Sequence, residues 1–221
     1  MTGMGSKGDT LPEYRVAAIQ AAPVFLDRDA TVDKACELIE EVATGGATLA
    51  VFPETWIPGY PVWANADARW NYRPAKETYS LLHHNAVDVP GPVTDRLCEE
   101  AGRTGVALVM GIHERSRTGT LYNSMVFIDR DGRLLGLHRK LVPTYHERMI
   151  WGRGDGSTLS VFDTSQGRLG GLICWEHWMP LTRYALYAAG EQVHAALWPS
   201  ATETFLVACR AMAFEGRLYV V

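Results

Sequence analysis

Three predicted strands end in residues that could share one nucleophilic reaction: Val51-Phe52-Pro53 leads to Glu54, His138-Arg139 to Lys140, and Leu172-Ile173 to Cys174. Cysteine attacks as thiolate, and only a few per cent of a free thiol is ionised at neutral pH, so the chemistry needs a base beside it. Glu54, walled by Trp56 and Tyr60, is a carboxyl that desolvation would raise into general-base range. Lys140 could stabilise an anion formed in the reaction. Taken singly, the three also read as a surface carboxylate, a solvated cation and a buried strand cysteine. Their shared position at strand ends, where open α/β sheets form their sites, favours convergence.

Cys174 carries the most local information. The run from Gly167 to Ile173, broken only by Arg168, delivers it to a strand-to-helix turn, which presents a side chain at the top of a sheet. A following helix start would favour thiolate. Gly170-Gly171 leaves room for close approach by a backbone or substrate. Aromatic residues crowd the same loops, with Trp56 and Tyr60, then Tyr145 and Trp151, then Trp175 and Trp178. Loops are ordinarily polar, so these rings predict a dry, shaped pocket.

The elements that must position these groups follow from hydrophobic periodicity. Strands are predicted at 15–23, 47–53, 106–114, 121–129, 133–140, 158–164, 167–174, 193–199 and 218–221. Helices are predicted from a cap at Asp29 or Thr31 to Gly45-Gly46, near 92–104, over about 178–189, and over 203–216. Asp131-Gly132 and Gln166-Gly167 predict hairpin turns. Strand–helix alternation mixed with hairpins implies an α/β fold whose mixed sheet is covered by helices. His83-His84 reads as a surface or pocket-rim pair, and Gly152-x-Gly154-x-Gly156 as a turn.

Composition bounds the partners. The 221 residues carry 21 Lys and Arg against 25 Asp and Glu, a formal charge of -4, which disfavours nucleic acid and anionic membrane. No apolar stretch approaches the ~18 residues of a membrane span. Four scattered cysteines form neither a disulfide framework nor a CxxC zinc site, and the expected location is cytoplasmic. Cys36, Cys98 and Cys209 lie on apolar helical stripes and read as core residues.

The segments VFPETWIPGYP (51–61), HRKLVPTYHERMIWGRGDGS (138–157) and GGLICWEHWMP (170–180) closely resemble the three signature segments of the nitrilase superfamily of carbon–nitrogen hydrolases, the nitrilase branch above all. The resemblance implies an α/β fold of the four-layer α-β-β-α sandwich type. It implies a single carbon–nitrogen hydrolase domain over 14–221, and the polar, Gly-rich N-terminus reads as a disordered lead over 1–13. Catalysis would fall to Glu54 as base, Lys140 as electrostatic stabiliser, Cys174 as nucleophile and Glu147 as a supporting carboxylate. Trp56, Tyr60, Tyr145, Trp175 and His177 are the candidate substrate-binding residues, His177 with a structural role as the alternative. The family pattern continues beyond the position of Val221 with further strands and a tail, so a truncated sandwich is one expectation; a strand completing a sheet edge at a subunit contact is the other.

The implied reaction converts a nitrile to a carboxylic acid and ammonia through a thioimidate and a thioester, with no metal or organic cofactor. The implied partners are a small-molecule nitrile and further copies of the chain in a homo-oligomer, a dimer or larger. Two other readings stand beside it. An amidase or carbamoylase would use the same residues on a C–N single bond, and an inactive fragment would serve as a binding or scaffold protein.

Overall fold

The computed structural model describes residues 13–65 and 71–221. Residues 1–12 of the expected N-terminal lead lie outside the described residues. The elements run β1 (Arg15–Ala18), α1 (Arg28–Thr44), β2 (Ala47–Val51), α2 (Arg73–His84), α3 (Pro92–Thr104), β3 (Ala107–Arg115), β4 (Leu121–Ile128) and β5 (Leu134–Arg139). Then follow β6 (Phe162–Thr164), β7 (Gly167–Ile173), α4 (Pro180–Ala188), β8 (Val193–Leu197), α5 (Glu203–Gly216) and β9 (Tyr219–Val220).

Two sheets result, with orders β1-β2-β3-β4-β5 and β6-β7-β8-β9. In the first, β1, β2 and β3 are parallel, while β4 runs antiparallel to both β3 and β5. The carboxyl ends of β2, β3 and β5 therefore lie on one rim. In the second sheet β7, β8 and β9 are parallel, and β6 joins β7 as a hairpin.

Successive strand side chains point to opposite faces, so an apolar run can feed two cores at once. Leu49 and Val51 pack inward with Val109, Phe127, Ile173 and Val193, which join the two sheets face to face. Their neighbours Ala50 and Phe52 point outward with Leu108 and Val126 against Val32 and Ile39 of α1 and Leu97 of α3. On the far side, Leu172 of β7 packs against Leu186 of α4 and Met212 of α5. This is the expected α-β-β-α sandwich.

Local chemistry sets the boundaries. Asp27, rather than Asp29 or Thr31, caps α1, its side chain accepting from the Ala30 N–H. The Thr31 hydroxyl is instead spent on the Val24 and Asp27 carbonyls. The predicted strand at 158–164 shortens to β6, and α2 was not anticipated from its polar sequence. His83-His84 forms the last turn of α2, and the His83 ring contacts the Gly119 carbonyl at 3.0 Å.

Candidate active site

Glu54, Lys140 and Cys174 each lie within three residues beyond the carboxyl end of β2, β5 and β7, and the sandwich brings these ends to one place. Glu54 is aimed by the loop after β2, which crosses directly over β3 at Gly111. A Cβ there would collide with the Pro53 carbonyl and the Thr55 N–H. Behind the loop, neutral His113 donates through Nε2 to the Gly59 carbonyl at 3.0 Å and accepts from Trp151 Nε1 at 3.0 Å. Burial holds His113 down to about 3, so this brace does not titrate in the neutral range.

The cation sits between two carboxylates. Lys140 Nζ donates to Glu54 Oε1 at 2.8 Å and to Glu147 Oε2 at 2.7 Å, with all three side chains buried. Asn123 Nδ2 on β4 adds a bond to Glu54 Oε1 at 2.6 Å. Glu147 is fixed in turn by the Tyr60 hydroxyl at 2.7 Å and the Thr144 N–H at 2.6 Å. Glu54 Oε2, by contrast, is buried without a partner. One oxygen of this carboxyl is thus anchored and the other is left to accept a proton.

Burial raises the Glu54 carboxyl, and the Glu147 charge adds to this against the opposing pull of Lys140 and Asn123. For Lys140, burial works downward, but the flanking Glu54, Cys174 and Glu147 win, and the ammonium is held above its ordinary range. Cys174 is 3% exposed. Burial first, then the Glu54 charge, pushes its thiol well up, against the pull of Lys140 and the Trp175 N–H. The expected thiolate stabilisation by a helix start is therefore outweighed. The segment after Cys174 is only a 3₁₀ turn, Cys174–Trp178, with α4 beginning at Pro180. In this setting the thiol form of Cys174 is favoured over the thiolate.

The elbow at Cys174 is left-handed, φ 53°, a conformation that costs a non-glycine residue about 1–3 kcal/mol unless its surroundings enforce it. Glu176 supplies one restraint. Its Oε1 accepts from the Leu141 N–H and its Oε2 from the Ile173 N–H, both at 2.7 Å, and His138 Nε2 bridges both oxygens at 3.1 and 3.0 Å. Leu141 follows Lys140 and Ile173 precedes Cys174, so one buried carboxylate ties the two strand ends across the sheets.

The other candidate residues divide by position. Trp56 and Tyr60 border a cavity of about 680 Å³ that also reaches Glu54, Trp198, Phe205 and Leu206. Tyr145 is 78% exposed and Trp175 48% exposed. The His177 ring is buried behind Cys174, against the Cys174 carbonyl at 2.6 Å. Sequence reasoning missed Asn123 and Glu176. The polar pair Asn123-Ser124 inside an otherwise apolar strand was the available signal for the first. Nothing in local sequence marked Glu176 as a bridge. Among the described residues, no cluster of three or more His, Cys, Asp or Glu is placed to hold a metal ion.

Known proteins resemble the chain in sequence and in fold. Residues 15–221 match the model of the Carbon-nitrogen hydrolase family. The chain is 44% identical over 220 residues to a bifunctional nitrilase/nitrile hydratase of Nicotiana tabacum, covering 99% of this chain and 63% of that protein. It is 46% identical over 191 residues to a nitrilase of Bacillus sp. (strain OxB-1), covering 85% of this chain and 54% of that one. The chain thus spans about six-tenths of the length of these relatives. In fold it is similar to an amidase from Nesterenkonia sp., with a TM-score of 0.73, 19% identity, and coverage of 97% of this chain and 78% of that chain.

Proposed function

The chain belongs to the carbon–nitrogen hydrolase family, on its nitrilase branch, and from that premise we propose that it hydrolyses a nitrile to a carboxylic acid and ammonia. The observation that carries the reading is the buried Glu54–Lys140–Glu147 cluster beside Cys174, in which one Glu54 oxygen is unpartnered. Similarity to proteins named as nitrilases favours nitriles over amides as substrate.

In the proposed mechanism Glu54 takes the Cys174 proton as the sulfur bonds to the nitrile carbon. The nitrogen gains that proton, giving a thioimidate. Water adds under Glu54 base catalysis, and charge developing on nitrogen and then oxygen is met by Lys140 and the Trp175 N–H. One such donor is commonly worth ~3–4 kcal/mol. Glu54 passes the proton taken from that water to the nitrogen, the hydroxyl proton follows by the same route as the C–N bond breaks, and ammonia leaves a thioester. A second water, again deprotonated by Glu54, releases the acid and restores the thiol. Loss of the thiol in place of ammonia would release an amide, so the timing of proton delivery to nitrogen sets the product ratio.

The apolar lining beside Glu54, with Trp56, Trp198 and Phe205, supports a substrate with an apolar substituent. Exposed Leu181, Tyr184 and Phe214 on α4 and α5, 85%, 69% and 89% exposed, support self-association through this helical face. Four unpaired cysteines support a reducing, cytoplasmic setting. Ammonia release from paired nitriles and amides tests the reading, with Cys174→Ala alongside. The expected result is cysteine-dependent release from nitriles; full activity in Cys174→Ala refutes it, and release from amides alone moves the chain to amidase chemistry.

A further inference from the structure

Behind the nucleophile lies a hydrogen-bonded row that the mechanism above does not use. Glu191 Oε1 meets His194 Nδ1 at 2.8 Å, His194 Nε2 meets His177 Nε2 at 3.1 Å, and His177 Nδ1 meets the Cys174 carbonyl at 2.6 Å. All three side chains are buried. The row connects the turn before β8, through His194 in β8, to the elbow after β7. Gly170 makes room for it, since a Cβ at that position would strike the Glu191 carboxyl.

The identity of the acceptors fixes the protons. A carbonyl oxygen can only accept, so His177 carries its proton on Nδ1. Burial and the neighbouring His194 hold His177 well below its ordinary pKa, so the ring is neutral and its Nε2 is a bare acceptor. His194 must then donate from Nε2. One more proton lies between His194 Nδ1 and Glu191, whichever of the two owns it. The row as a whole is neutral, which is why it can sit in the core. Ring orientation is fixed as well, because His177 stacks on Trp198 with centroids 4.5 Å apart, and Trp198 stacks on Phe205 at 4.2 Å.

The carbonyl that receives this bond belongs to the peptide whose N–H is that of Trp175. A trans peptide is planar, with its C=O and N–H opposed, so fixing the oxygen fixes the direction of the N–H. That N–H acts on the Cys174 thiol, favouring its charged form against burial. A hydrogen bond to the carbonyl also polarises the peptide and strengthens the N–H as a donor. We propose that Glu191, His194 and His177 form a tautomer-setting row that aims and strengthens the Trp175 N–H toward the anion formed during attack. His177 and its two partners are positioning residues, and none of them touches the reacting atoms. The same bond enforces the left-handed elbow that displays the thiol.

This inference rests on the nitrilase reading for its kinetic consequence but not for its proton assignment, and the test separates the two. Nitrogen-15 NMR of the histidine rings in the full chain should show one ring protonated at Nδ1 and bare at Nε2, lost in His177→Phe, which keeps an aromatic ring on Trp198. Nitrile turnover should fall in kcat by on the order of 10–100-fold in His177→Phe with KM little changed, since deleting an oxyanion donor outright costs about 10²–10³-fold. Glu191→Gln, whose amide can donate to His194 Nδ1, should preserve the tautomer and most of kcat. Glu191→Leu leaves His194 free to hold its proton on Nδ1, so it should lose the Nε2 donor that His194 offers His177, and kcat with it, while staying folded by circular dichroism. A proton found on His177 Nε2 overturns the proposal whether or not nitriles are hydrolysed, as does unchanged kcat in both His177→Phe and Glu191→Leu. An unmutated chain that shows the Nδ1 proton but turns over no nitrile counts against the functional reading alone.

Discussion

Replacing Glu176 by glutamine, a nearly isosteric change, should damage the protein more than its size suggests. Both carboxylate oxygens accept from backbone N–H groups, Oε1 from Leu141 and Oε2 from Ile173, and His138 donates between them. A glutamine has one acceptor oxygen and one NH₂ group, so in either orientation a donor faces a donor. The orphaned buried N–H costs about 1–3 kcal/mol, and the remaining bonds lose their charge assistance. A total near ~3 kcal/mol would lower the melting temperature by roughly 6–12 °C for a chain of this length. Because the two N–H groups adjoin Lys140 and Cys174, the displacement should also reach the chemistry, where ~1 Å of misplacement can cost about 10²-fold. Thermal unfolding by circular dichroism, with nitrile turnover measured well below the transition, reads both effects. A Glu176→Gln protein melting within roughly 2 °C of the unmutated chain, with turnover intact, would refute the bridging argument.

Burial raises the Glu54 carboxyl, and the base must be unprotonated, so the acid limb of kcat/KM against pH should lie above the ordinary glutamate value near ~4.3; a limb at or below that value contradicts the assignment. Asn123→Leu removes a bond that favours the charged carboxylate, so it should move the same limb further upward and reduce turnover at neutral pH by about tenfold. An unmoved limb in that variant would show that Asn123 does not act through Glu54. Gly111→Ala places a methyl against the Pro53 carbonyl and the Thr55 N–H and should destabilise by about 1–3 kcal/mol, with greater loss of activity as the Glu54 loop lifts; equal melting temperatures by differential scanning calorimetry would rule this out.

The elements most legible in the sequence were those buried on one stripe or both faces. Helix α5 appears over 203–216 as its apolar spacing predicted, and α3 over 92–104. Both hairpin turns follow from glycines at positive φ, Gly132 and Gly167. Helix α2 escaped although its few apolar residues do fall at helical spacing, because most of its twelve residues are polar and Leu82 is the one buried. The short turn after Cys174 was taken for a helix start because composition does not distinguish the two geometries. At the site, strand-end logic located Glu54, Lys140 and Cys174. It could not locate Asn123, Glu176 or His194, because their meaning lies in hydrogen bonds to residues distant in sequence, 69 residues away in the case of Asn123, nor Glu191, whose bond to nearby His194 matters only through the latter's contact with His177.

Glu54 and Lys140 are mounted on one sheet and Cys174 on the other, and between the sheets lies an apolar interface that includes Phe127, Val193 and Leu197. Sliding of one layer over the other therefore changes the separation of the Cys174 sulfur and the Glu54 carboxyl directly. Such contacts are non-directional and tolerate small shear far better than a hydrogen-bonded ladder does. Glu176, together with the Glu54 N–H donating to the Trp198 carbonyl at 3.4 Å, ties the two layers directionally beside the site. Substitutions deep in the interlayer packing, remote from any substrate, should consequently register as altered catalytic distance before they register as unfolding.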